Sequence, residues 1–210
     1  MDRDSCIQPV YGCITKFILL RRTGCGGLTL SISEFQPMKI CIVSDSHDRA
    51  DALAVAVREA AARGAAAVIH CGDLIGTHTV RAAMGVGLPM HLIHGNNLGD
   101  PTSLARLARD SGGQVQYHGI DARLELGTRH IFVVHYPEYG YAMACTGDWD
   151  LVCCGHSHEV GVEQVTNVKG GETPLVNPGT VAGLAAPATW VLGDLATMRF
   201  ETHVLSLIPA

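Results

Sequence analysis

Residues 42–48 read IVSDSHD. The apolar run KICIV stops and gives way to Asp45, one spacer and His47. Four further apolar runs end in the same manner. AAAVIH is followed by CGD, with Asp73; PMHLIH by GNN, with Asn96; RHIFVV by His135; and WDLVCC by GHSH, with His156 and His158. In open α/β sheets, sites form outside the carboxyl ends of the strands, so these endings could meet in one place. A mixture of imidazole, carboxylate and carboxamide suits manganese, zinc, iron or nickel, whereas calcium would want oxygen alone. Seven ligands are too many for one transition ion with an open position. They suit two ions sharing a bridging carboxylate. Asp-x-His and His-x-His also have a spacing that points both side chains one way on an extended segment.

Each fragment alone has a plainer reading. Asp-x-His is common, a Gly-Asp after a strand is usually a turn with Asp73 capping the next helix, and Gly-Asn is an ordinary turn signal. A lone His135 would more often be a satisfied strand-edge residue. The metal reading rests on all five occurring in order, each directly after an apolar run. A structural zinc module on Cys153, Cys154, His156 and His158 is disfavoured, because adjacent residues of a strand point to opposite faces. No G-x-x-x-x-G-K-[ST] occurs, which excludes a P-loop enzyme.

The elements that must position these residues can be read around them. A chain of 210 residues fits one domain with a sizeable core. KICIVS, AAAVIH and PMHLIH read as buried strands separated by helices in ADALAVAVREAAARG, HTVRAAM and PTSLARLARDSG, which suggests parallel pairing with crossovers. After residue 113, QVQYHG, DARLELG and RHIFVVH read as an antiparallel meander. PEYGYAMACTG reads as a helix and WDLVCC as a buried strand. EVGVEQV, TPLVN, ATWVLGDL and MRFETHVL complete a second, more antiparallel set. Residues 1–37 show no clear period and hold a glycine cluster, while the regular pattern starts at Met38. The expectation is an N-terminal extension over 1–37, poorly ordered or created by a misplaced start, followed by one domain over 38–210.

Composition excludes several classes. The apolar fraction is 47% and the charged fraction 17%, as in globular chains. A net charge of -5 argues against general nucleic-acid binding through a broad basic face. No apolar run is long enough to span a bilayer, and FILL before Arg21 and Arg22 is too short for a signal peptide. The 8 cysteines include no C-x-x-C pair, and five lie in or beside apolar runs, which suits reduced thiols in a cytoplasm.

The ordered set D-x-H, G-D, G-N, H, G-H-x-H resembles the calcineurin-like metallophosphoesterase superfamily. More narrowly, it is similar to that superfamily's small prokaryotic phosphodiesterases, a branch with a relative that serves as a retromer scaffold subunit. The resemblance covers residues 38–205. It implies an α/β fold, a four-layer αββα sandwich of two mixed β-sheets, with a two-metal centre at one edge. Carried over by position, Asp45, His47 and His158 would hold the first ion; Asn96, His135 and His156 the second; and Asp73 would bridge. Asp73, Asn96 and His135 would also be the catalytic set. LVNPGT, residues 175–180, resembles the closing turn beside the site, with Asn177 supporting the ligands. Two departures stand out. Many members have a histidine after Gly-Asn that can protonate the leaving group, and here that place is Asn97. HYP also replaces the more usual HG after the motif histidine.

The implied activity is hydrolysis of phosphodiester bonds, or phosphomonoesters, by a metal-bridging hydroxide, with two divalent transition ions as cofactors and manganese the expected one. The rival class is a non-catalytic protein-binding scaffold on the same fold, which would be expected to have lost ligands. The partner is a small phosphoester substrate, no membrane is expected, and a homo-oligomer is left open. Pocket walls are expected from residues 97–103 and 136–148. Tyr136, Tyr139 and Tyr141 are read as packing residues in preference to pocket residues.

Overall fold

A computed structural model of the chain describes residues 16–22, 28–34 and 38–206. The chain divides into two units, Met1–Pro37 and Met38–Ala210. In the first, strands β1 (Lys16–Arg22) and β2 (Leu28–Glu34) pair antiparallel, Leu19 opposite Ser31. The other residues of the expected extension lie outside the described residues.

The second unit begins with β3 (Lys39–Val43), α1 (Ala50–Ala62), β4 (Ala65–His70), α2 (Thr77–Met84), β5 (Met90–Leu92), α3 (Pro101–Asp110) and β6 (Val115–Tyr117). It continues with β7 (Asp121–Leu126), β8 (Arg129–Val134), α4 (Pro137–Cys145), β9 (Leu151–Cys153), β10 (Val160–Thr166), β11 (Glu172–Pro178), β12 (Thr189–Asp194) and β13 (Arg199–Val204). Six strands form one sheet in the order β13-β12-β3-β4-β5-β6 and five form another in the order β10-β11-β9-β8-β7. Both are mixed. β3, β4, β5 and β6 run parallel, as do β8, β9 and β11, with antiparallel strands at the edges.

The continuous apolar run of β3 follows from its place between two layers. Side chains alternate across a strand. Cys41 and Val43 pack under α1, α2 and α3, while Ile40 and Ile42 pack against the second sheet. β8 alternates likewise: Ile131 and Val133 face the first sheet, and Phe132 and Val134 face α4. Three apolar layers therefore lie between four structural layers, helix–sheet–sheet–helix. α1 buries Leu53, Ala56, Val57 and Ala60 on one stripe, and its chain leaves the helix through Gly64 at φ 89°, a left-handed residue past the helix end. α3 starts at Pro101, with the Asp100 carboxylate accepting from the Ser103 amide.

Two groupings differ from the sequence reading. β6 does not open a meander; α3 returns it parallel beside β5. β12 and β13 do not join the second sheet; β12 lies antiparallel beside β3. A period of two marks a strand but not its sheet. The near-continuous burial of TWVLG resembles that of KICIV and fits a strand covered on both faces.

Ile131 is fully buried between the sheets, four residues before the chain reaches His135. Ile131→Ala should destabilise the protein by about 2–5 kcal/mol, the usual range for emptying such a position. Urea unfolding checks it; a change under about 0.5 kcal/mol, as at a surface site, would contradict the intersheet core.

Candidate metal centre

The structure brings all seven sequence-selected residues to one edge of the sandwich. They come from the segments after β3, β4, β5, β8 and β9. His47 Nε2 lies 3.2 Å from His158 Nε2, and these atoms lie 3.8 and 3.4 Å from Asp45 Oδ1. On the other side, Asn96 Oδ1 lies 2.9 Å from both His135 Nε2 and His156 Nδ1. Asp73 reaches both groups, its Oδ1 3.4 Å from His135 Nε2 and its Oδ2 3.8 Å from His47 Nε2. Asp45, Asp73 and His135 are 0%, 2% and 2% exposed.

The side chains do not converge as alternate residues of an extended strand. Asp45, His47, Asp73, His156 and His158 all have positive φ, between 39° and 69°. Left-handed backbone costs a residue with a Cβ about 1–2 kcal/mol. Strain of this kind gathers where surrounding structure fixes it for a purpose. The sheets supply that fixing. Asp45 N donates to Gly72 O, His47 N to Asp73 O, and Gly155 N to His135 O, tying one strand end to the next. Two glycines make room. A Cβ on Gly95 would collide with Asp73 Oδ1 and His135 Nε2, and one on Gly155 with Ser44 Oγ and Asp45 Oδ2.

Hydrogen bonds fix which nitrogens carry protons. His135 Nδ1 donates to Cys71 O at 2.8 Å and His158 Nδ1 donates to Leu184 O at 3.0 Å, because a carbonyl can only accept. In the neutral rings both Nε2 atoms are then lone pairs, and they face carboxylate oxygens that also lack protons. Asp45 Oδ1 is buried with no hydrogen-bond partner, although its Oδ2 accepts from the His156 amide. Acceptor atoms gathered in this way suit cations, and histidines whose other nitrogen donates to a carbonyl are the usual ligand form. The residues present therefore fit divalent metal ions.

Supporting residues complete the centre. Asn177 Nδ2 donates to Gly155 O and Ser157 Oγ, holding the GHSH loop at the place its sequence position suggested. Thr180 Oγ1 donates to Asp45 O. Sequence reasoning passed over His70, and it named Asn97 only as standing where a proton-donating histidine is usual, without its hold on Asp73. Asn97 does not face outward alone: its amide N–H and its Nδ2 both donate to the Asp73 carboxylate. His70 is fully buried, accepts from Gly72 N through Nδ1 and so donates through Nε2 to Ser46 Oγ at 3.0 Å. A histidine closing an apolar run was its only signal. Burial, and then the neighbouring His135, push His70 down to about 3.

Beside Asn96 and His135 opens a cleft of about 730 Å³. Leu98, Tyr136, Tyr139 and Met143 come from the two segments expected to form its walls, while Ile120 and Phe132 were not anticipated. The packing reading of the tyrosines holds for neither Tyr136 nor Tyr139, which line the cleft; Tyr141 does not line it. The reason is local: α4 starts at Pro137, two residues after His135, and its first turn stands beside the centre.

This fold coincides with that of a known family. The calcineurin-like phosphoesterase superfamily domain matches residues 38–198, and the chain belongs to that superfamily. Over 150 residues it is 28% identical to the phosphodiesterase MJ0936 of Methanocaldococcus jannaschii, covering 70% of this chain and 86% of that one. A solved archaeal phosphodiesterase shares the fold at a TM-score of 0.72 and 25% identity, over 80% of this chain and all of that one. Vacuolar protein sorting 29 of Cryptosporidium parvum shares the fold at a TM-score of 0.51 and 15% identity, over 80% of this chain and 97% of that one.

His70 gives a pH signature. Its value in the fold lies below that of an unfolded histidine, near 6.5. Between pH 6.5 and about 3 the unfolded chain therefore binds the extra proton, and stability falls as pH falls. Urea unfolding of metal-free protein should show His70→Gln losing about 2 kcal/mol less than wild type between pH 7 and 5. Equal losses would contradict a buried neutral His70.

Proposed function

We propose that this chain is a metal-dependent phosphodiesterase in which Asp45, His47 and His158 hold one divalent ion, Asn96, His135 and His156 hold a second, and Asp73 is shared. The observation that carries the reading is the set of facing acceptor atoms Asp45 Oδ1, His158 Nε2 and His135 Nε2, the two nitrogens fixed as acceptors in the neutral rings by the carbonyls behind them. Ions bound there supply Lewis acidity toward phosphoryl oxygens and lower the pKa of water enough to make a nucleophile at neutral pH.

The chain's own residues do the rest. Cys71 O and Leu184 O hold the His135 and His158 rings in the tautomer that presents Nε2. Asn97 holds Asp73 through two donors, so the shared carboxylate cannot swing toward one side only. That engagement also removes Asn97 as a proton source, since a carboxamide has no titratable proton. Esters with acidic leaving groups, aryl diesters among them, are the favoured substrates over alkyl monoesters.

Manganese is the expected ion, with zinc, iron and nickel also suited to the ligand set. Residues 38–210 form the working domain, and 1–37 an upstream extension. The described cysteines are all unpaired and four of the five are buried, which supports a reducing, cytoplasmic setting. No described helix is long and apolar enough to cross a membrane. The scaffold alternative rests on likeness of fold, and a scaffold would not require strained backbone around two buried carboxylates.

Manganese-reconstituted protein should hydrolyse bis-p-nitrophenyl phosphate faster than p-nitrophenyl phosphate. Asp73→Ala, which touches both groups of ligands, should lower that turnover by on the order of 10²-fold or more while leaving the circular dichroism spectrum intact. Near-normal turnover in Asp73→Ala would overturn the shared role.

A further inference from the structure

The cleft beside the centre carries information about the substrate that the ligand set does not. Its volume, about 730 Å³, falls within the range of small-molecule sites. It is continuous with the centre, because Asn96 and His135 belong to both. Its remaining wall is strongly apolar, with Leu98, Ile120, Phe132, Tyr136, Tyr139 and Met143 at its surface. Ile120 and Tyr139 are 68% and 64% exposed, and Leu98 is 47% exposed. Large apolar side chains held open to water around one depression mark a binding surface. Two of the three lining aromatics, Tyr136 and Tyr139, meet edge to face, with ring centroids 5.8 Å apart. Tyr136 in turn packs on His156, centroids 4.8 Å apart, which joins the aromatic wall to the ligand set.

Charge narrows the occupant. Asp121 is the acidic residue on this wall, standing at the start of β7 opposite Val134. Among the described residues, no lysine or arginine lines the cleft. Apart from the ions that the proposed reading places at the centre, Asp121 is the charged group on this wall, and its carboxylate repels a second anionic group placed beside it. The cleft is therefore unsuited to a further phosphate or carboxylate and suited to an uncharged ring, which the tyrosines can meet face or edge.

Building on the phosphodiesterase reading, we infer that this cleft seats one ester group of the substrate and that the group is an uncharged aromatic ring. Tyr139 and Ile120 are its specificity-determining residues: they touch the ring and not the phosphate. A phosphodiester with two small alkyl groups would engage the centre alone and leave the cleft to water.

Three diesters whose leaving groups are much poorer than p-nitrophenol, and which turn over slowly on the time of a titration, separate the ring from the phosphate: dimethyl phosphate, methyl phenyl phosphate and methyl 4-carboxyphenyl phosphate. Their affinities for manganese-loaded protein are to be read twice, by titration calorimetry and as inhibition of bis-p-nitrophenyl phosphate turnover. Methyl phenyl phosphate should bind at least about tenfold more tightly than dimethyl phosphate, the gain expected from burying one ring. The 4-carboxyphenyl ester should lose most of that gain, and Asp121→Asn should restore part of it. Tyr139→Ala and Ile120→Ser, both at exposed positions, should weaken methyl phenyl phosphate by about tenfold and dimethyl phosphate by less than twofold. Equal affinity for the methyl and phenyl esters, or equal weakening of both in the variants, would overturn the inference. Failure of the underlying reading looks different: no manganese-dependent turnover of any diester, whatever calorimetry reports about the ring.

Discussion

Asp45 and Asp73 bring two carboxylates into the edge of an apolar sandwich, 0% and 2% exposed, and among the described residues no lysine or arginine pairs with either. Burying anionic groups without counter-charge costs several kcal/mol each. Around them stand imidazole nitrogens, and the lone pairs of two of them, His135 Nε2 and His158 Nε2, are fixed toward the carboxylates by carbonyls on the far side of the ring. Every other feature of this edge follows from that concentration of electron density. It explains the orphaned Asp45 Oδ1, the donors that Asn97 spends on Asp73, and the glycines that let backbone come close.

The fold sustains this by rigidity elsewhere. Left-handed backbone at Asp45, His47, Asp73, His156 and His158 would relax in a loose loop. Here each strained residue directly follows a strand whose two faces are both packed, so the strand ends cannot retreat. β3 and β4 anchor Asp45, His47 and Asp73, while β8 and β9 in the other sheet anchor His135, His156 and His158. The centre therefore spans the two sheets, and the intersheet layer around Ile42, Ile69, Ile131 and Val133 sets the distance between its halves. The cross-strand bonds Asp45 N to Gly72 O and Gly155 N to His135 O transmit that spacing to the ligands.

The site was legible because its chemistry is written at strand ends. Asp45, His47, Asp73, Asn96, His135, His156 and His158 each break an apolar run or stand just beyond one, and the structure places all seven together. Their local geometry was not legible: the i, i+2 pairs suggested an extended segment, whereas the carbonyls of neighbouring strands hold left-handed turns. Sheet membership was half legible. β3 and β4 declare themselves by burial on both faces, but β6 has three residues and β12 an antiparallel partner 150 residues away in sequence, beyond any local pattern. Tyr136 and Tyr139 escaped because an aromatic pair on a short helix reads as core until the helix is seen to begin beside the ligands. The hold of Asn97 on Asp73 escaped, although its place after Gly-Asn was noted, because its partner lies 24 residues away in sequence.

The central claim is that two divalent ions occupy this edge with Asp73 between them. Anomalous diffraction at the manganese absorption edge, from crystals of manganese-loaded protein, tests it most directly. The account predicts two peaks, one among Asp45, His47 and His158 and one among Asn96, His135 and His156, both within ligand distance of the Asp73 carboxylate. A single peak, or two peaks of which only one contacts Asp73, would contradict it.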